Sequence, residues 1–426
     1  MLDYIIKLGV TNFHFNSKEI TTNGLFIPIK SELKDGHSFI EDAINNGAIA
    51  ALWDRKNKIP DHLIDKITYI FVDDTLNAFQ SLASEYRKKI NPIVIAITGS
   101  NGKTTTKEML YSVLSTKFKV HKNKGNFNNH LGVPLTLLSM PLKTEVCILE
   151  MGMNHLGEIS ALSNLAEPNI ALITNIGESH IGLLGSRENI ALAKMEILEG
   201  LKNDHSVFID GDEPLLKRVD GKTISQKEIC MFTQNENGLS FHFEGYNYSL
   251  PTFGFHNAKN ALFSIKVAIE LGISPTLISE GLKSFINQPL RLEYVEYDNN
   301  SFLLDCYNSS YSSIQRGLET FLTIDINKNK ISILGDIFEL GNQSKKTHQS
   351  VGKLISHIKD CKFFLVGGEM KAAYDICNSN NNIRYFEDSQ KLIDYLQNEK
   401  IDNSFFYLKA SRGMRLETIY ESFCKL

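Results

Sequence analysis

Ile93-Val94-Ile95-Ala96-Ile97-Thr98-Gly99-Ser100-Asn101-Gly102-Lys103-Thr104-Thr105-Thr106 is the stretch whose reading decides the fold. Its first five residues are apolar and mostly β-branched, as in a buried parallel strand, and the turn through 98–102 delivers the chain into a helix expected to begin near Thr104. Glycines at 99 and 102 let successive backbone N–H groups curl around an anionic oxygen where a Cβ would intrude. The helix N-terminus adds unpaired donors and the positive end of its dipole, Lys103 reaches toward β and γ phosphates, and Thr104 suits the Mg²⁺ that accompanies them. The spacing is Gly-x-x-Gly-Lys-Thr-Thr, shorter than a full Walker A pattern, but the strand before and the helix after are the context such a loop needs. An ATP site over Gly99, Ser100, Asn101, Gly102, Lys103, Thr104 and Thr105 is therefore expected.

The 426 residues exceed what one hydrophobic core serves, so two or three domains are expected. An apolar fraction of 42% with 22% charged residues is that of an ordinary globular protein and argues against disorder. The net charge is only −4 and the Lys and Arg residues are dispersed, which argues against nucleic acid or an anionic membrane as the main partner. No apolar run reaches membrane-spanning length and no basic-then-apolar leader opens the chain, so a cytoplasmic location without membrane insertion is expected. The six cysteines form no Cys-x-x-Cys pair, so neither a zinc site nor a disulfide framework follows from them.

Residues 1–91 read as a unit of their own, with a strand at 24–29, a helix over 38–46, a strand at 49–53 and a polar, turn-rich segment Leu33-Lys34-Asp35-Gly36-His37 of the kind that binds ligands. Asn91-Pro92, after a helix over 77–89, marks the boundary to a central domain at 92–288. There, Asn126, Asn128 and Asn129 either cap and turn or offer amides to a polar substrate. A strand at 145–149 ends in Glu150, which at the carboxyl edge of a parallel sheet faces the same crevice as the phosphate loop and is a candidate Mg²⁺ ligand. A strand at 170–174 delivers His180 to that edge, as a ligand or as an ordinary packing or surface histidine. A helix over 187–201 sets Lys194 in a stripe with Ile190, Ile197, Leu198 and Leu201, where a lysine either snorkels to solvent or meets a partner charge. Asn257 reads as the cap of a helix bearing Leu262, Ile265 and Ile269. Residues 289–426 alternate strands (302–304, 331–334, 363–366, 385–386, 405–408) with helices, a Rossmann-type pattern without the Gly-x-Gly-x-x-Gly loop, so no dinucleotide is implied.

Taken in order, Thr-Gly-Ser-Asn-Gly-Lys-Thr-Thr-Thr-Lys-Glu-Met (98–109), Gly-Asn-Phe-Asn-Asn (125–129), Glu-Met-Gly-Met-Asn-His (150–155), Thr-Asn-Ile-Gly-Glu-Ser-His (174–180), Leu-Gly-Asp-Ile-Phe-Glu-Leu-Gly (334–341) and Lys-Ala-Ser-Arg-Gly-Met-Arg-Leu-Glu (409–417) resemble the motifs of the Mur ligases of peptidoglycan assembly. The resemblance runs over nearly all of the chain. Within that family it points to the members that add D-alanyl-D-alanine to UDP-N-acetylmuramoyl-tripeptide.

The resemblance implies an α/β, three-domain architecture: a UDP-sugar-binding domain (1–91), a central P-loop ATPase parallel sheet (92–288), and a C-terminal Rossmann-like domain (289–426) that closes over the site. It implies ATP and two Mg²⁺ ions. Lys103 and Thr104 hold ATP and the first ion; Glu150, His180 and Lys194 bind the second, with Lys194 as its carbamate, an anion that suits a hard cation. His256, Asn257, Asn260, Arg291 and Asp305 would reach the nucleotide, and Asn308, His348, Ser411 and Arg412 the incoming dipeptide. Ser17, Asn126, Asn128 and Asn129 are the expected contacts to the UDP-sugar peptide, and a monomer is expected.

The implied chemistry transfers the γ-phosphoryl group to the tripeptide carboxylate and lets the dipeptide amine displace phosphate from the acyl phosphate. The chain departs from the family's pattern at Asn16-Ser17-Lys18, where Asp-Ser-Arg is usual, at Ser309-Ser310-Tyr311, where Ala-Asn-Pro is usual, and at Ala410, where glycine is common. It is also expected to lack a helix ahead of its first strand. These departures face substrates, while the ATP and metal positions are intact. The alternatives are a sister ligase with another amine donor or cell-wall acceptor and, further off, a nucleotide-binding relative without catalysis.

Overall fold

In the computed structural model, which describes residues 1–32, 34–399 and 401–424, strand Ile93–Thr98 lies inside a six-stranded sheet. The order is Lys222–Ile224, Ser206–Asp210, Ile170–Ile173, Ile93–Thr98, Val146–Glu150, Val120–Lys122, and every pairing is parallel. Val94 to Thr98 are fully buried, as befits a central strand covered on both faces. Ile97 pairs with Glu150 on one side and Leu172 on the other. The chain leaves this strand first toward 120–150 and then toward 170–224, so the strand order reverses here and opens a crevice at the carboxyl ends.

The described residues form two compact units, 1–107 with 117–224, and 108–116 with 225–426. The first also holds a four-stranded parallel sheet, Asn12–His14, Gly24–Phe26, Ala48–Asp54 and Thr68–Val72 in that order. Helix Thr75–Ile90 packs Phe79, Leu82, Ala83 and Tyr86 into a core that includes Leu25, Ala50, Val94, Ala96 and Leu149. The Asp74 side chain accepts from Asn77 N at 2.7 Å at its start. Asn91 ends it in the left-handed region at φ 53°, one residue before Pro92, so the proposed boundary is also a helix stop.

Two expectations need correction in this unit, and part of a third lies outside the described residues. A short helix, Leu2–Lys7, does precede the first strand, and it forms because Leu2 and Ile5 have a core to enter. Leu33 of the turn-rich segment lies outside the described residues; Asp35 and His37 of that segment bond to each other, Oδ1 to Nδ1 at 2.6 Å. The helix expected over 187–201 is α-helical only over Arg187–Met195 and tightens to a 3₁₀ turn at Glu196–Leu198. The reason is tertiary. Ser163 Oγ donates to Ile197 O at 2.6 Å and accepts from Gly200 N at 3.1 Å, taking groups that a longer helix would pair internally.

In the second unit a three-stranded antiparallel sheet, Cys230–Asn235, Gly238–Phe243 and Tyr246–Leu250, precedes helices Phe255–Glu270 and Pro275–Lys283. Neither this sheet nor the edge strand Glu293–Tyr297 follows from the sequence reading. A six-stranded sheet then runs in the order Glu293–Tyr297, Asn300–Leu304, Ser404–Lys409, Asn329–Gly335, Lys362–Val366, Ile383–Phe386, antiparallel at its first pair and parallel elsewhere. Its carboxyl edge gathers Asp305, Asp336 and the 409–412 segment. Among the described residues no helix is long and apolar enough to cross a membrane.

A Cβ at Gly200 would lie 2.2 Å from the Ser163 carbonyl carbon and oxygen, which are backbone atoms and cannot turn aside. Gly200→Ala is expected to destabilise the first unit by about 1–3 kcal/mol, read as a lower melting temperature in thermal denaturation.

Candidate active site

The phosphate loop is built as its glycines require. Gly99 has φ +152° and a Cβ there would fall 2.0 Å from Thr174 Oγ1; Gly102 has φ +81°. The loop does not hold itself open alone. Ser100 N donates to Asn175 O at 3.1 Å, and Asn101 N to Asn175 Oδ1 at 3.0 Å. In return Asn175 Nδ2 and Thr174 Oγ1 donate to Asn101 O at 2.8 and 2.7 Å, and Gly177 N donates to Ser100 Oγ at 2.8 Å. The segment read only as the carrier of His180 is thus the brace of the loop. Its signal in the sequence is a polar amide directly after a strand at the switch point. Helix Lys103–Leu114 follows; Lys103 Nζ donates to Gly99 O at 2.7 Å, and Thr104 and Thr105 are half-buried in the first turn.

Glu150 ends its strand 3% exposed. Its N–H donates to Asn123 Oδ1 at 3.0 Å and its carbonyl accepts from Asn123 Nδ2 at 2.9 Å. Asn128 Nδ2 donates to Oε1 at 2.9 Å, while Lys107 Nζ lies 3.5 Å from Oε2. Oε2 makes no hydrogen bond to any described residue, a costly state for a buried carboxylate oxygen and one that suits a cation. The three asparagines divide their roles: Asn128 orients Glu150, Asn129 closes the turn into helix Gly132–Leu138 by accepting from Leu131 N and Gly132 N at 3.1 and 2.9 Å, and Asn126 is exposed. Lys107 and Asn123 are contributors the sequence reading missed, although Lys107 lies one turn beyond Lys103 on the same helix face.

His180 is exposed, in the left-handed region at φ 67°, where it starts the four-residue helix Ile181–Leu184. Lys194 does not snorkel: it is 2% exposed and meets no carboxylate among the described residues. Burial, aided by nearby Lys103, pushes its amine well below the usual lysine range. Among the described residues no three His, Cys, Asp or Glu side chains cluster as a metal site.

In the second unit, Asp305 Oδ2 accepts from Lys409 Nζ at 2.8 Å and Tyr407 Oη at 3.1 Å, and Lys409 also donates to Asn308 O at 2.9 Å. Asn257 is not a cap, because Gly254 precedes the helix and Asn257 lies inside its first turn. Its Nδ2 donates to Phe253 O at 2.8 Å and its Oδ1 accepts from Asn260 Nδ2 at 3.0 Å, a pair that His256 flanks. Burial and the cations Arg316 and Lys409 push His256 down to about 4, so it is neutral in the physiological range. Arg291 stacks on Tyr307 at 4.2 Å.

Four residues expected near the dipeptide are placed unequally. Asn308 and Arg412 are exposed, the latter paired with Glu417, and Ser411 Oγ accepts from Phe338 N at 2.9 Å. His348 is fully buried: Nδ1 donates to Ser344 O at 2.8 Å and Nε2 accepts from Ile337 N at 3.1 Å, which leaves neither nitrogen for a substrate. It holds the 336–338 turn instead. At the altered positions, Ser310 caps helix Tyr311–Thr323, accepting from Ser313 N at 3.3 Å. In the N-terminal sheet region Ser17 is buried, with its carbonyl accepting from Asn46 Nδ2 at 3.0 Å, and the Asn16 side chain accepts from Lys18 N at 3.1 Å.

A glycine-braced phosphate loop at the switch point of a parallel sheet, with a buried carboxylate on the neighbouring strand end, defines a nucleotide-dependent α/β enzyme. Residues 97–268 match the Mur ligase middle domain. The UDP-N-acetylmuramoyl-tripeptide--D-alanyl-D-alanine ligase of Bacillus subtilis (strain 168) is 39% identical over 420 residues, covering 95% of this chain and 91% of that one. Among solved structures, MurF from Acinetobacter baumannii superposes with a TM-score of 0.87 at 28% identity over 98% and 94% of the two chains. MurF from Thermotoga maritima in complex with ADP gives 0.85 at 27% identity over 98% of each. The chain belongs to the Mur ligase family, on the branch of the UDP-N-acetylmuramoyl-tripeptide--D-alanyl-D-alanine ligases.

Asn175 makes two side-chain hydrogen bonds to the Asn101 peptide, so Asn175→Ala is expected to weaken ADP binding by about tenfold, consistent with the loss of one to two net hydrogen bonds, with little change in melting temperature. Isothermal titration with ADP checks it.

Proposed function

We infer that this chain is an ATP-dependent amide ligase that adds D-alanyl-D-alanine to UDP-N-acetylmuramoyl-tripeptide in peptidoglycan precursor synthesis. The observation that carries the reading is the whole-length likeness to the Bacillus subtilis ligase, 39% identity over 95% of this chain. The phosphate loop and the buried carboxylate beside it supply the parts that this chemistry needs.

The nucleotide binds to the backbone N–H groups of residues 102–104, where the loop enters the helix N-terminus, and Lys103 exchanges the Gly99 carbonyl for phosphate oxygens. Thr104, Glu150, His180 and a carbamate on Lys194 would hold Mg²⁺, which when bound offsets the repulsion between the substrate carboxylate and the γ-phosphate. Oε2 of Glu150, which makes no hydrogen bond to any described residue, fits that assignment. So does the lowered basicity of Lys194, because only an unprotonated amine attacks CO₂: an N–C bond forms, one proton leaves, and the product is an anion. His256, Asn257, Asn260, Arg291 and Asp305 are assigned to the nucleotide, and Asn308, Ser411 and Arg412 to the dipeptide.

The tripeptide carboxylate attacks the γ-phosphorus, ADP leaves, and an acyl phosphate remains. The dipeptide amine then attacks the carbonyl carbon, loses a proton, and expels phosphate as the amide forms. The work of the protein is positioning and charge compensation. The same reading assigns a UDP-sugar-binding domain to 1–91, an ATPase domain to 92–288 and a C-terminal domain to 289–426, in a cytoplasmic monomer.

The test is phosphate release from ATP with UDP-N-acetylmuramoyl-tripeptide, with and without D-alanyl-D-alanine, and the mass of the product. Dipeptide-dependent release with the matching pentapeptide mass is expected; turnover only with another amine or acceptor would move the chain to a sister activity. Lys194→Ala is expected to abolish ligation, with partial recovery on adding short-chain carboxylates that take the place of the carbamate. Full activity without them would remove Lys194 from the mechanism.

A further inference from the structure

Lys107 is the most deeply buried charged residue of the phosphate-loop segment, 0% exposed, on the face of helix Lys103–Leu114 one turn beyond Lys103. An ammonium tolerates such burial only with partners. Here they include the Asn123 and Gly125 carbonyls, at 3.1 and 3.2 Å, and Glu150 Oε2 at 3.5 Å. All of these partners bear on one side chain. Asn123 brackets the Glu150 peptide with both ends of its amide, and the turn that contains Gly125 continues to Asn128, which donates to Glu150 Oε1. The phosphate-loop helix, the 123–128 turn and the strand end therefore meet at a single ammonium. The carboxylate is held at its backbone and at Oε1, and Oε2 is left with a charge beside it and no hydrogen bond from any described residue.

We propose that Lys107 is the positioning residue for Glu150, fixing the carboxylate so that Oε2 faces the divalent cation and tying it to the helix that holds the nucleotide phosphates. The proposal rests on the reading above that Glu150 is a cation ligand. Lys107 acts through Glu150, not on the reacting atoms. Partners that orient a metal ligand change metal affinity by about 10–100-fold when removed, which sets the expected size of the effect.

The full-length protein is compared as wild type, Lys107→Met, Lys107→Arg, Glu150→Gln and the Lys107→Met/Glu150→Gln double variant. Three quantities are measured: melting temperature, ADP affinity in EDTA, and Mn²⁺ affinity of the ADP complex by electron paramagnetic resonance. Expected are a loss of about tenfold or more in Mn²⁺ affinity for both Lys107→Met and Glu150→Gln, a smaller loss for Lys107→Arg, and ADP affinity in EDTA within about threefold of wild type. In the double variant Lys107→Met should cost less than about twofold beyond Glu150→Gln alone, since the two act as one unit. If Lys107→Met does not fold, Lys107→Gln, which still donates a hydrogen bond, takes its place in the same cycle. Losses that multiply independently, or Mn²⁺ affinity that falls in Glu150→Gln but not in the Lys107 variants, overturn the role of Lys107 and leave the metal reading standing. Unchanged Mn²⁺ affinity in Glu150→Gln overturns the metal reading and the proposal with it.

Discussion

An anion-binding loop made of backbone N–H groups has to be kept open when no anion fills it, and in this protein the neighbouring strand end does so. The Asn175 amide occupies both the N–H and the carbonyl of Asn101, Thr174 reinforces the carbonyl, and Gly177 bonds the Ser100 hydroxyl. Because Gly99 has no Cβ, Thr174 can come within bonding reach of the loop. The loop is thus pre-shaped, and binding need not pay for ordering it.

Three lysines of the first unit show how environment divides one side-chain type into different chemical parts. Lys103 is half-buried and bonds to the Gly99 carbonyl, a contact that phosphate oxygens can replace. Lys107 is wholly buried against Glu150 and two carbonyls and serves as a joint. Lys194 is buried without a carboxylate partner among the described residues, and desolvation favours its neutral amine. An exchangeable contact, a locked joint and a weakened base follow from burial and partners alone.

The second unit repeats the logic of placing polar groups at the carboxyl edge of a parallel sheet. Asp305 is set by Lys409 and Tyr407, and Ser411 faces the Phe338 peptide. The altered Ser309-Ser310-Tyr311 stretch is a competent helix start, since Ser310 and Ser313 bond reciprocally across the first turn. Replacing the usual residues there therefore leaves the local backbone with its hydrogen bonds made.

The sequence by itself determined the phosphate loop, the parallel alternation on both sides of it and the strand-end position of Glu150, because glycine spacing and unbroken apolar runs are local signals. It also marked Lys194 as out of place in an apolar stripe. Only the tertiary structure decided what completes these parts. The Asn175 brace and the Lys107 and Asn123 cradle of Glu150 join residues far apart in the chain, and no local pattern encodes such pairings; the His348 ring is closed off by nearer neighbours, Ser344 and Ile337, only once the turn between strand and helix is formed. The same holds for the helix that stops at Met195: its periodicity continues, but the Ser163 hydroxyl takes the Ile197 carbonyl, and a tertiary hydrogen bond outweighs the small preference of a few residues for one more helical turn.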